Sequence, residues 1–413
     1  MPRHETTDPS AVGVDPSRLA RIDTAMQAIV DRGEVRGCST LLARRGQVVH
    51  RGTHGCRDQE AATPMTDDTI FRIYSMTKPI VSTALMLLQE EGRIGIEQPV
   101  ATVLPQFAAV QVLDADGTLH PPVRPPKIAD LLAHTSGLTY DFMIDNPVAA
   151  QYRERQVMHD ATRRLADVVD VIADLPLAFQ PGSRWHYSVG IDVAARIVEV
   201  VADQPLGDFL RQRIFEPLDM TDTAFGVAED DLDRLAAMYG LPDLIGRDHD
   251  GGDLLAAALA GVNDRQDVSA TYPTSTPDVF QRGGLGLFST IDDYFHFAQM
   301  LANGGQLDGE RIVGRTTLEL MHTNRIPPEQ RPIELLGQPV AGFGFGLGSR
   351  VMTDVAASDA PGSIGEFGWA GAAKTYYWVD PAEELVGVFM SQYMTGPTTP
   401  DRTFRTVAHQ ALV

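Results

Sequence analysis

Strand-like segments gather at both ends of this 413-residue chain, and helix-like segments fill its middle. Near the start, residues 16–34 place Leu19, Ile22, Met26, Ile29 and Val30 at helical spacing. The following stretch, CSTLLARRGQVVHRGTHG at 38–55, reads as two short strands around a turn at Arg45-Gly46. Near the far end, AGFGFGLGSRVM alternates Phe343, Phe345 and Leu347 with glycines, which predicts a strand. AAKTYYWVDP and ELVGVFMSQY predict two more, joined at Asp380-Pro381, and DRTFRTVAHQALV predicts a closing helix. A mostly antiparallel sheet drawn from both termini and flanked by terminal helices is the economical assembly of these pieces.

The centre differs. Residues 76–92, 161–175, 189–202, 205–215 and 290–303 read as helices separated by Pro- and Gly-rich loops. The expected architecture is therefore α/β. Residues 1–70 and 341–413 form one domain, and residues 71–340 form a large, mainly helical insertion, with a site at the interface. The length agrees, because it exceeds one ordinary core. Residues 226–275 are acidic with little periodicity and predict an excursion over the surface or cleft.

Net charge is −21, from 55 acidic and 34 basic residues, so nucleic acid and anionic membrane surfaces would repel the chain. No signal-peptide h-region opens the sequence, and no apolar stretch is long enough to span a membrane. Cys38 and Cys56 flank the first hairpin; a bridge is conceivable, but two cysteines read better as reduced thiols of a cytoplasmic protein.

Residues 71–80, FRIYSMTKPI, set Lys78 three places after Ser75, just ahead of an apolar helix. On a helix, positions i and i+3 share a face. A serine hydroxyl is a poor nucleophile without a neighbouring base, and a lysine becomes that base when burial or a nearby cation lowers its pKa. The competing reading is a helix start with an ordinary exposed lysine, and the S-x-x-K spacing alone does not separate the two. Tyr187 follows the turn-forming PGSRW and precedes another apolar helix. A tyrosine beside a lysine can serve as general base and return the proton to a leaving group; the alternative is a loop tyrosine packed on the helices. In GEFGWAGAAKTYYWVDP, Gly368, Trp369 and Gly371 open a strand whose backbone N–H groups could face a cleft. Acyl transfer needs two N–H groups aimed at one oxyanion, here one from Ser75 and one from near Ala372.

FRIYSMTKPIV, LLAHTSGL at 131–138, FQPGSRWHYSVGIDV and GWAGAAKTYYWVDP occur in that order. Together they resemble the serine β-lactamase superfamily of the class C type, and more narrowly its family VIII carboxylesterases, from about residue 16 to the end. The resemblance implies the β-lactamase/penicillin-binding-protein-like fold and a serine carboxylesterase for short-chain esters, with no cofactor and no metal. It makes Ser75 the acylated nucleophile, Lys78 its partner, Tyr187 the tyrosine of the Y-x-N or Y-x-x motif, and Ser75 and Ala372 the oxyanion hole. Lys78 would help deprotonate Ser75 and bias Tyr187 toward its basic form. Trp369, Gly371, Val189 and His186 are the expected substrate-contacting positions, and the partner a small-molecule ester.

Two departures bear on substrate. Val189 stands where β-lactamases carry the asparagine that holds a substrate amide, and the third motif lacks its initial lysine and threonine. Small neutral esters are therefore favoured over β-lactams. Acyl transfer, weak β-lactamase or D-amino-acid peptidase activity, and a non-catalytic binding module are the alternatives. No G-x-S-x-G occurs, which argues against an α/β-hydrolase elbow. His134 in AHTSG reads as a structural loop histidine, Lys374-Thr375 as structural, and Asp248-His249-Asp250 as an acidic loop rather than a metal cluster. Trp185 and Phe288 are candidates for walls of an acyl pocket, set against the commoner role of aromatic residues in a core.

Overall fold

The computed structural model describes residues 5–143, 146–158, 160–241, 263–394, 396 and 399–413. Its main sheet has eight strands: β1 (Gly37–Arg44), β2 (Gln47–Asp58), β3 (Thr63–Pro64), β4 (Phe343–Phe345), β5 (Arg350–Met352), β6 (Phe367–Gly371), β7 (Thr375–Asp380) and β8 (Leu385–Ser391). Their spatial order is β4-β5-β6-β7-β8-β1-β2-β3, with every neighbouring pair antiparallel. The sheet is thus closed in its middle by the pairing of β1 with β8, one strand from each end of the chain.

Local chemistry sets these turns. Arg45 and Gly46 both have positive φ, 53° and 72°, the conformation of a two-residue hairpin turn whose twist suits the flanking strands. At the β7–β8 turn, Asp380 accepts the backbone N–H groups of Ala382 and Glu383. Trp378 lies opposite Gly387, where a Cβ would fall 2.1 Å from the indole. The glycine is what lets that ring lie flat across β8.

The six longest α-helices among the described residues are α1 (Arg21–Asp31), α2 (Thr77–Glu90), α3 (Leu165–Ala173), α4 (Gly190–Ala202), α5 (Ile291–Ala302) and α6 (Pro400–His409). On one face of the sheet, α1 brings Ile22, Met26 and Ile29 and α6 brings Phe404 and Ala408 onto Trp378, Phe389, Leu42 and Val49. On the other, α5 packs on β8, β7 and β1, so this helix from the middle of the chain rests on the sheet itself. α2 runs beneath, packed against α4, and is buried all round from Thr77 to Leu88, as a helix at the centre of a large core must be.

Three expectations are corrected. The 16–34 helix is broken at Ala20, with Pro16–Leu19 capped by Asp15 ahead of α1. The strand at 341–352 is two strands, β4 and β5, because the chain reverses between them: Gly348 has φ of 98°, and a Cβ on Gly346 would lie 2.2 Å from the Met321 carbonyl oxygen. In the 205–215 helix the α-turns give way at Arg211 to a wider turn over Arg211–Phe215. Cys38 and Cys56 are free thiols. Of the acidic stretch at 226–275, the described parts include Met238–Gly240, paired with both Arg265–Gln266 and Tyr393–Met394; Asp248-His249-Asp250 lie outside the described residues. Among the described residues, no helix is long and apolar enough to cross a membrane.

Candidate active site

Ser75 lies in a single 3-10 turn, Tyr74–Met76, that leads into α2. Within residues 69–88 every position except Ser75 is buried, so the packing leaves one hydroxyl facing out of an otherwise closed segment. Tyr74 before it has φ of 44°, a costly conformation for a bulky residue that persists only where the surroundings enforce it. Here they include the Tyr272 ring, 4.7 Å away, and the Ile73 N–H bond to the Leu287 carbonyl. Tyr294 of α5 donates to the Met76 carbonyl at 2.9 Å, tying the turn to the helix on the sheet.

Two side chains reach Ser75 Oγ. Lys78 Nζ is 3.1 Å away, and the Tyr187 hydroxyl donates to it at 2.7 Å. Lys78 also donates to the Gly284 carbonyl at 2.5 Å. It is fully buried, and burial lowers its pKa to about 7, against the pull of Asp192. The lysine can therefore exist as a free amine near neutrality. At Tyr187 burial pushes the phenol upward, and the bonds to Ser75 and Trp369 offset this only in part.

β6 closes the other side. Thr375 Oγ1 donates to the Ile73 carbonyl at 3.2 Å. A Cβ on Gly371 would lie 2.2 Å from Thr375 Oγ1 and 2.3 Å from the Ile73 oxygen. Gly371 is thus what allows the β6–β7 turn, with Ala372, to press against the turn that carries Ser75. Trp369 of β6 places its ring 5.5 Å from Tyr187 and 5.1 Å from Phe345. His134, buried and held neutral chiefly by burial, has its ring tilted against Tyr187 at 4.8 Å and pairs with Ser188 at 3.3 Å. It is a loop histidine behind the tyrosine, as the sequence suggests.

Ser75, Lys78, Tyr187, Trp369, Gly371 and Ala372 are therefore brought together. His186 and Val189 have other surroundings. His186 Nε2 pairs with Thr139 Oγ1 at 2.8 Å and its ring meets Phe179, so it braces the loop at Thr139. Val189 is wholly buried at the start of α4, its N–H on the Thr139 carbonyl. Trp185 joins the aromatic cluster of His134, Tyr187 and Phe345, whereas Phe288 is core, packed on Tyr272.

Sequence reasoning missed Asp192, Gly284 and Tyr140. Asp192 Oδ1 accepts the Gly284 N–H at 3.0 Å, and the Tyr140 ring lies 5.4 Å from Lys78 Nζ. The adjacent glycines in RGGLGL were the one available signal, since paired glycines mark close backbone approach. Away from the site, Glu366, Asp380 and His409 bring three ligand-type atoms within 4.8 Å of one another. Arg405 Nη2 binds Glu366 Oε2 there at 2.7 Å. With a guanidinium already seated on it, the cluster is an ion-pair lock between α6 and the sheet.

Comparison with known proteins places the chain in a family. The family model described as Beta-lactamase matches residues 22–412. The chain is 37% identical over 377 residues to Protein Rv1367c of Mycobacterium tuberculosis, covering 89% of this chain and 88% of that one. It is 31% identical over 404 residues to Esterase EstB of Burkholderia gladioli, covering 95% and 96%. Among solved structures it is similar to EstCE1, a hydrolase with promiscuous acyltransferase activity, with a TM-score of 0.77, 26% identity and 95% and 99% coverage. With a family match spanning nearly its whole length and an esterase relative over the same span, the chain belongs to the β-lactamase family and is a serine hydrolase built on that fold.

Proposed function

We propose that the protein is a carboxylesterase that cleaves short-chain carboxylic esters through an acyl-enzyme on Ser75. The observation that carries this reading is the convergence of Lys78 and Tyr187 on one partly exposed hydroxyl, at 3.1 and 2.7 Å. Ser75 Oγ attacks the ester carbonyl as its proton passes to Lys78. Tyr187 gives its own proton to the leaving alkoxide and is reprotonated from Lys78, so alcohol departs. Water then attacks the acyl-enzyme by the same route in reverse. The N–H groups of Ser75 and Ala372 receive the oxyanion, and positioned donors of this kind are usually the largest electrostatic contribution to acyl transfer. On this reading the site opens between the sheet domain of residues 1–70 and 341–413 and the inserted residues 71–340.

Substrate follows from what surrounds the serine. Trp185, Tyr187, Phe345 and Trp369 form an aromatic cluster beside the site, which suits a neutral, apolar acyl group. Likeness to EstCE1 favours transfer to an alcohol as a second outcome of the same acyl-enzyme. The test is nitrophenyl butyrate turnover beside a chromogenic cephalosporin, repeated with an added alcohol. Rapid ester release, slow cephalosporin opening and some ester of the added alcohol are expected. Cephalosporin turnover exceeding that of the ester would contradict the substrate assignment.

A further inference from the structure

Asp192 stands one residue behind Lys78. It lies in the first turn of α4 and is 1% exposed. Its Oδ1 accepts the Gly284 N–H, and the Gly284 carbonyl accepts Lys78 Nζ. Gly284 therefore links carboxylate to amine. The link has no slack: a Cβ on Gly283 would lie 2.2 Å from the Ile191 carbonyl oxygen, and one on Gly284 2.5 Å from Asp192 Oδ2 and 2.6 Å from the Tyr140 hydroxyl. The glycine pair is pressed onto α4, and the place where Lys78 finds its acceptor is set by that contact.

Charge points the same way. Lys78 must become an ammonium when it takes the Ser75 proton, and an uncompensated buried ion is strongly unfavourable. The groups that face this pair are Tyr140 and Tyr187, whose rings lie 5.4 and 4.7 Å from Lys78 Nζ, together with His134 and Arg282. Burial drives both phenols and the imidazole toward their neutral forms. At Asp192 burial favours the acid, while the Gly283 and Gly284 N–H groups, Lys78 and Arg282 favour the carboxylate. Burial prevails, so the Asp192 carboxyl sits above its ordinary pKa; it is the one acid among these groups, and its carboxylate form is the counter-charge available to an ammonium on Lys78.

We propose that Asp192 is a positioning residue that holds Lys78 against Ser75 through Gly284 and supplies the counter-charge for the ammonium formed during acylation. This rests on Lys78 acting as the base for Ser75. In that step the Oγ–H bond breaks, the bond from Oγ to the acyl carbon forms, and the proton resides on Lys78 Nζ until it is passed to Tyr187, which has given its own proton to the leaving alkoxide. Asp192 gains no proton and forms no bond to substrate.

The experiment measures kcat and KM for nitrophenyl butyrate across the acid limb of the pH profile in four proteins: wild type, Asp192→Asn, Asp192→Glu and Asp192→Leu. Asparagine keeps an acceptor for the Gly284 N–H and removes the charge. Its acid limb should move to lower pH, because the group favouring the ammonium is gone, and its plateau kcat should fall about tenfold with KM little changed. Glutamate restores the charge and should return the limb toward the wild-type position. Leucine removes the acceptor as well and should lose about 100-fold in kcat through misplacement of the amine. An Asp192→Asn enzyme with unchanged limb and plateau overturns the proposal, as does a loss of activity explained wholly by a lower melting temperature with the limb unmoved. Failure of the underlying reading looks different: Lys78→Ala would then turn over ester at the wild-type rate.

Discussion

The Tyr187 hydroxyl donates to Ser75 Oγ at 2.7 Å across 112 positions of sequence. Packing of α4 against α2 brings the two together, and the aromatic rings of His134 and Trp369 pack against the tyrosine. In the proposed mechanism the buried phenol serves the reaction by the proton it gives. Tyr187→Phe keeps the ring contacts and removes that proton. Its kcat should fall by about 10²–10⁴-fold, with the melting temperature close to that of wild type. Steady-state kinetics and a thermal melt on the same preparation check both halves.

Lys78 near a pKa of about 7 places the acid limb of kcat/KM close to neutral pH. The base must be a free amine, so activity falls as pH drops through that value. Lys78→Arg cannot supply a free amine at any accessible pH, and it should be inactive throughout, whereas a lysine of purely structural charge would be replaced with little loss. A pH–rate profile of both proteins decides this.

The same burial leaves a mark on stability. Between pH 7 and 9 the unfolded chain keeps a proton on Lys78 that the folded chain has lost, so stability rises with pH, by at most about 1.4 kcal/mol per pH unit. Above that window Cys38, pushed up to about 12 by burial, pulls the other way, because the unfolded chain gives up its thiol proton first. Lys78→Met should lose the lysine's share of the slope. Denaturant unfolding of both proteins at a series of pH values within the window measures it.

Gly371 has no room for a side chain between Thr375 Oγ1 and the Ile73 carbonyl. Gly371→Ala must push the β6–β7 turn away from Ser75, which should cost about 1–3 kcal/mol of stability and about 100-fold in ester turnover. Unfolding curves and kinetics test the pair of effects together. Full activity in this variant would remove the β6–β7 turn from the oxyanion site.

Much of this organisation was legible in the sequence because it is written in local patterns. The terminal hairpins announce themselves by alternation and by turns such as Arg45-Gly46, and the apolar run after Lys78 announces a buried helix. The split of residues 341–352 into two strands was hidden, because glycines at 346 and 348 read as strand alternation until Met321 and Ser82 are seen pressed against them. Asp192 was hidden for another reason. An acid in the first turn of a helix reads as a favourable charge at the helix dipole, and only the tertiary approach of Gly283-Gly284 turns it toward Lys78. The protonation of Tyr187 and the inward packing of His186 and Val189 depend on burial by distant segments, which no local window contains.

The acyl-enzyme itself is the quantity to measure. Wild type and Ser75→Ala are each mixed with nitrophenyl butyrate, quenched in acid within the first turnovers, and weighed intact before peptide mapping. A butyryl adduct on the peptide bearing Ser75, present in wild type and missing from the variant along with ester turnover, is the result this mechanism requires. Turnover that survives in Ser75→Ala, or an adduct mapped to another residue, would contradict it.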